Sequence, residues 1–218
     1  MHRFVLFAIL FISGCSTQIS HPSQTTSFLS QNVATSQPLP VNVMKVWSTL
    51  ENETVSVCKA QLPNRDHSLC KFVLTETSPD SASMNAHSWI GEGRRSFIGI
   101  DIGLLRRFQN KNEIAFVLSH EAAHTIAKHH AHLNFKSSDE GFTISKKPDH
   151  TVELEADIIG TIISERAGFD PVTGSDILMR VARNLQGSRS HPSVKRRLMA
   201  IKQAYALLKA GNEIIIGQ

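Results

Sequence analysis

The chain is 218 residues long, 41% hydrophobic, 6% aromatic and 19% charged, with 23 basic against 19 acidic residues and a formal net charge of +4. That length suits one sizeable core with short appendages. The positive balance is too weak and too dispersed for a nucleic-acid partner: Lys195-Arg196-Arg197 is its basic cluster, read as the solvated face of an amphipathic helix, and neither a phosphate-binding loop nor RNA-reading aromatics accompany it.

The first element is an export signal. Arg3 supplies a positive start, Phe4–Ile12 an apolar run, and Ile12-Ser13-Gly14-Cys15 resembles a bacterial lipobox. The apolar run is far shorter than the roughly 20 residues a spanning helix needs. Residues 1–14 are therefore expected to be a lipoprotein signal peptide, cleaved to leave Cys15 lipidated. Ser16, in place of an aspartate, implies delivery to the outer membrane of a Gram-negative cell, facing the periplasm. Residues 15–40, rich in Ser, Thr, Gln and Pro and almost uncharged, read as a flexible tether. Residues 41–218 then form the folded domain.

Within that domain a helix is expected at about 41–51, followed by less definite structure to 69. Cys58 and Cys70, an even pair in an exported chain, suggest a disulfide closing a short loop, the alternative being two buried thiols. Strands are expected at about 71–76 and 96–101, and helices at about 111–132, 149–167, 171–185 and 192–209. Pro171 and Pro192 sit where a first helical turn accepts proline. The result is an α+β domain dominated by helices, with a small sheet.

The helix at 111–132 carries the chemistry. Asn110 with Glu113 resembles a capping box, and Ile114, Val117, Leu118, Ala122, Ala123, Ile126 and Ala127 give it a packing surface. On it lies His120-Glu121-Ala122-Ala123-His124, the HExxH pattern. Residues four apart on a helix sit about 40° apart, so the two imidazoles can share one Zn²⁺, with Glu121 beside it as general base. A third ligand must come from elsewhere. His130 occupies the third-ligand position of the HExxHxxGxxH pattern, but Ala127 stands where that pattern has its helix-breaking glycine. If the helix runs through Ala127, His130 points away from the metal. Glu153 is the stronger candidate: in Glu153-Leu154-Glu155-Ala156-Asp157 it shares a helical face with Asp157, so one carboxylate can bind metal while the other accepts an imidazole N–H. Glu155 points elsewhere and reads as a solvated acid.

HEAAH, then the ExxAD pattern 29 residues after His124, then Ser190-His191-Pro192-Ser193, resemble peptidase family M48, and within it the small periplasmic lipoproteins that lack the family's transmembrane helices. The resemblance covers about residues 84–200. Ser83-Met84-Asn85-Ala86 and Ser96–Leu105 are similar to the family's segment before the active site and its substrate-edge strand, placed here near Phe97–Asp101. Where the family usually has a Pro-Gly-Gly turn, this chain has Gly91-Glu92-Gly93-Arg94-Arg95.

The resemblance implies a zincin-like metallopeptidase domain holding one Zn²⁺ through His120, His124 and Glu153. Asp157 would orient a ligand, and Glu121 would activate water. His191 would approach the metal, either assisting catalysis or blocking the site at rest. The implied role is an envelope endopeptidase clearing misfolded or unassembled periplasmic and outer-membrane proteins, with Asn134–Pro148 as a lid or connection. Two alternatives stand beside it: a metal-binding lipoprotein that escorts proteins without cutting them, and a protease using His130 as third ligand.

Overall fold

The computed structural model describes residues 38–62, 67–129, 150–182, 185–188 and 191–214. They belong to one unit spanning residues 36–218. Residues 1–14, expected to be an export signal, most of the expected tether, His130 and the Asn134–Pro148 segment lie outside the described residues. Leu39, inside the stretch read as tether, is buried in the core.

Helix α1 (Val41–Gln61) is ten residues longer than expected. The polar run Glu51–Thr54 hides the periodicity there. Thr54 takes a core position and donates its hydroxyl to the Leu50 carbonyl at 2.9 Å, so the buried stripe continues through Val57 and Cys58. Cys58 is bridged to Cys70, tying the last turn of α1 to the chain entering the sheet.

The sheet has three strands, β1 (Phe72–Glu76), β2 (Ala86–Ile90) and β3 (Ser96–Ile100), in the order β1-β3-β2. β3 runs parallel to β1 and antiparallel to β2. The strand expected to bind substrate at an edge, near Phe97–Asp101, is thus central. The edges are β1 and β2, and the one that packs on α3 is β2, whose short half-polar sequence Ala-His-Ser-Trp-Ile carries little apolar alternation. Gly93 and Arg94 both adopt positive φ, 68° and 56°, and reverse the chain between β2 and β3 in place of a Pro-Gly-Gly turn. Buried Asp101, just past β3, accepts bonds from Thr77 Oγ1 at 2.7 Å, from Ser83 Oγ, and from the Asn85 amide at 3.2 Å. These bonds fix the segment that leads into β2. A one-turn helix α2 (Ile102–Leu105) follows.

Helix α3 (Lys111–Ile126) opens on Asn110, whose Oδ1 accepts from the amides of Asn112 and Glu113. Glu113 completes the box one residue early, accepting from the Gln109 amide at 2.7 Å and from Asn110 Nδ2 at 3.0 Å. The helix ends sooner than expected. Ala127 caps it, and Lys128 adopts φ 59°, a left-handed conformation that costs a non-glycine roughly 1–2 kcal/mol. The straight continuation that argued against His130 is therefore absent, and His130 itself is not described.

Helix α4 (His150–Arg166) runs back along α3 through Ala156, Ile159, Gly160 and Ile163. A Cβ on Gly160 would come within 3.0 Å of the His120 amide nitrogen, so glycine lets the two backbones close at the level of the first histidine. The helix expected at 171–185 is two short pieces, α5 (Pro171–Gly174) and α6 (Ile177–Val181), parted at Ser175, whose buried hydroxyl donates to the Val172 carbonyl. Helix α7 (Val194–Lys209) closes the core with Val194, Arg197, Ile201 and Ala204 buried. Among the described residues no helix is long and apolar enough to cross a membrane.

Candidate metal centre

His124 follows His120 by four positions on α3, and Asp157 follows Glu153 by four positions on α4. Because the helices pack face to face, both pairs meet. One nitrogen or oxygen from each of His120, His124 and Glu153 lies within 4.8 Å of the other two. The separations are 3.2 Å between the two Nε2 atoms, and 3.7 Å from each Nε2 to a Glu153 oxygen. Tetrahedral bonds of 2.0–2.1 Å require donor atoms roughly 3.3 Å apart, so this donor set fits zinc.

Asp157 is fully buried, and its Oδ1 lies 3.1 Å from His120 Nδ1, on the side of the ring away from Glu153. Arg197 meets the same carboxylate in a bidentate pair, with Nε 2.8 Å from Oδ2 and Nη2 2.7 Å from Oδ1. Burial alone would raise the Asp157 pKa, but this guanidinium and His120 hold it below the usual carboxylate range. Arg197 Nη2 also lies 3.3 Å from His120 Nδ1. A guanidinium offers only donors and Nδ1–H is directed at Asp157, so that approach is packing.

Arg197 is therefore not part of a solvated face; Lys195 and Arg196 are. The signal was present in the spacing. Arg197 follows Val194 by three residues and precedes Ile201 by four, which is the buried register of α7. Glu155 is likewise not simply solvated: its Oε2 lies 3.2 Å from His129 Nε2.

Glu121 is buried beside the face that carries His120 and His124. Burial chiefly pushes its carboxyl up to about 7; His120 opposes the shift, Glu153 adds to it, and a bond to Ser88 on β2 opposes it. A carboxylate poised near neutrality suits proton transfer. Ser88 escaped the sequence reading because nothing local distinguishes it; β2 had to be seen against α3 first.

These groups line a cavity of about 390 Å³. Asn85–Ser88 form one wall, and Leu104, Phe116, Val117, Ile177, Leu178 and Val181 an apolar one. His191 stands at its rim, its side chain 59% exposed and its Nε2 3.8 Å from Glu153 Oε2. The turn before it is tied down: Ser188 N donates to the His191 carbonyl at 2.8 Å, and His150 Nε2 at the start of α4 bonds the Ser188 carbonyl at 2.8 Å.

Comparison with known proteins agrees with this geometry. Residues 51–138 match the model of peptidase family M48. The chain is also 28% identical over 134 residues to the mitochondrial metalloendopeptidase OMA1 of Arabidopsis thaliana, a match covering 50% of this chain and 27% of that protein. The chain thus spans about a quarter of that relative's length. The family match ends before α4 and α7, so Glu153, Asp157, His191 and Arg197 are placed by the structure alone. Over residues 51–138, which contain the whole HExxH motif, this chain is similar to peptidase family M48.

Proposed function

We propose that this chain is a zinc-dependent endopeptidase, and the observation that carries the proposal is the convergence of His120, His124 and Glu153 beside buried Glu121. The three ligands would hold one zinc ion, whose Lewis acidity lowers the pKa of a water to about 7. Glu121 takes the proton of the attacking water and returns it to the departing amine. The carbonyl oxygen acquires charge as the water adds, and His191 at the rim is suited to donate to it. The donor atoms that all lie within 4.8 Å of one another are those of His120, His124 and Glu153, without His191, which favours that role over occupying the metal.

The edge of β2 supports an extended polypeptide as substrate. Backbone bonds flank it at Asn85–Asp101 and Gly91–Arg95. By antiparallel alternation His87 and Trp89 are bonded to β3, while Ala86, Ser88 and Ile90 turn their N–H and C=O groups to the open side. Strand addition there holds a peptide with little regard for its sequence and sets it beside Glu121. Such an enzyme suits unfolded chains. Glu153 completes the donor set, so the reading needs no ligand from His130.

One assay tests the centre: metal content and hydrolysis of unfolded casein, before and after chelation, for wild type, Glu153→Ala and His191→Ala. Chelation should abolish hydrolysis and zinc should restore it. Glu153→Ala should lose both zinc and activity. His191→Ala should keep zinc and lose about 10²–10³ in rate. Casein hydrolysis that survives complete zinc removal would end the metallopeptidase reading.

We further propose that the enzyme is an outer-membrane lipoprotein facing the periplasm, clearing misfolded or unassembled envelope proteins. The support is the sequence of residues 1–16. Cys15→Ser should move the protein from the membrane fraction to the soluble fraction with its fold intact, because a lipid and a tether contribute nothing to core packing. Retention in the membrane fraction would count against lipid anchoring.

A further inference from the structure

The turn after α3 carries His129 back against the metal-ligating face. With Lys128 at φ 59°, the His129 ring meets His124 edge-on, Nδ1 to Nδ1 at 2.9 Å, with 5.0 Å between ring centroids. On its far side, His129 Nε2 lies 3.2 Å from Glu155 Oε2 on α4. We propose that His129 and Glu155 are positioning residues for His124, fixing the tautomer in which its Nε2 lone pair faces the metal. The inference rests on the reading of His120, His124 and Glu153 as a zinc site.

The bond directions follow from the far end of the chain. An ionised carboxylate only accepts, so His129 Nε2 carries a hydrogen. A neutral imidazole protonated there has a bare Nδ1, which must accept. His124 therefore donates from Nδ1, and its Nε2 is left as a lone pair. That is the nitrogen 3.2 Å from His120 Nε2 and 3.7 Å from Glu153. The opposite order, with His129 donating from Nδ1, would put a hydrogen on His124 Nε2 and turn it toward the metal.

The two histidine ligands are thus oriented by different devices. Asp157 reaches His120 directly at 3.1 Å. Glu155, about 200° around α4 from Glu153, cannot reach His124, and the His129 ring bridges the gap. The left-handed Lys128 acquires a reason as well. A helix continued past Ala127 would carry His129 away from His124, since residues five apart on a helix differ by about 140°.

The test is zinc affinity of the mature chain, measured by chelator competition, beside the melting temperature of the zinc-free protein. His129→Phe keeps a ring and removes the acceptor; it should weaken zinc binding about 10–100-fold. Glu155→Leu, at a side chain 40% exposed, should weaken it in the same direction without disturbing core packing. Glu155→Gln keeps a carbonyl acceptor and should stay within about threefold of wild type. Melting temperatures without zinc should match wild type in the two Glu155 variants. Wild-type affinity in both His129→Phe and Glu155→Leu would overturn the inference while leaving the metal site intact, as would equal losses in Glu155→Gln and Glu155→Leu. A wild-type chain that held no zinc would overturn the metal-site reading, and this inference with it.

Discussion

Glu121→Gln should lower peptide hydrolysis by about 10²–10⁴-fold, the range a positioned general base contributes. The amide is nearly isosteric with the carboxylate, so the bond to Ser88 on β2 and the side chain's place in the packing have a replacement. It has no lone pair that takes a proton at neutral pH. Glu121 supplies none of the three ligand atoms, so zinc content should stay at the wild-type level. The fold should also hold, because burying an amide carries a smaller desolvation cost than burying a carboxylate. The measurement is kcat/KM on an unfolded substrate together with zinc stoichiometry. A zinc-replete variant that still cleaved at near wild-type rate would remove Glu121 from the chemistry.

Arg197→Met should destabilise the zinc-free protein by about 3–5 kcal/mol, the cost of leaving one partner of a buried ion pair uncompensated. Asp157 is the partner, with no exposed surface, and both of its oxygens are bonded by the guanidinium. Met fills much of the same volume, so the loss is electrostatic more than steric. Arg197→Lys should recover only part of it, since a point charge cannot make the two-pronged contact. The pH dependence has a definite sign. In the wild type the folded Asp157 pKa lies below its unfolded value of about 3.9. Its contribution is therefore present above that value and is lost as pH falls through the lower, folded one. The difference between wild type and variant should be largest near neutral pH and should shrink in acid, where Asp157 is protonated in both. Denaturant unfolding with zinc chelated gives the comparison. A loss below about 1 kcal/mol, or one that grew in acid, would show that the pair does not hold the two helices together.

Much of the site was legible because it is local. HExxH places two imidazoles and a carboxylate by helical geometry alone, and Glu153 with Asp157 repeats the four-residue spacing. The Asn110 box, the Cys58–Cys70 bridge and the extents of α4 and α7 likewise follow from short-range patterns. β2 was missed, and with it the edge proposed for substrate, because a short half-polar strand shows no alternation until its partner is known. The early end of α3 was missed because Ala127 and Lys128 are good helix formers by intrinsic preference. Tertiary contacts overrode that preference.

The chain's own sequence thus determined which residues share a helical face, since the backbone period sets that before any packing occurs. Only the tertiary structure decided which faces meet. α4 against α3 converted two separate pairs into one donor cluster, and α7 drew Arg197 from an apparent surface cluster into the core to meet Asp157. The turn at Lys128 brought His129 to His124, and β2 brought Ser88 to Glu121. Each of these contacts joins residues far apart in sequence or across a reversal of the chain. Burial and donor–acceptor matching select them, and neither property exists until the helices and sheet have come together.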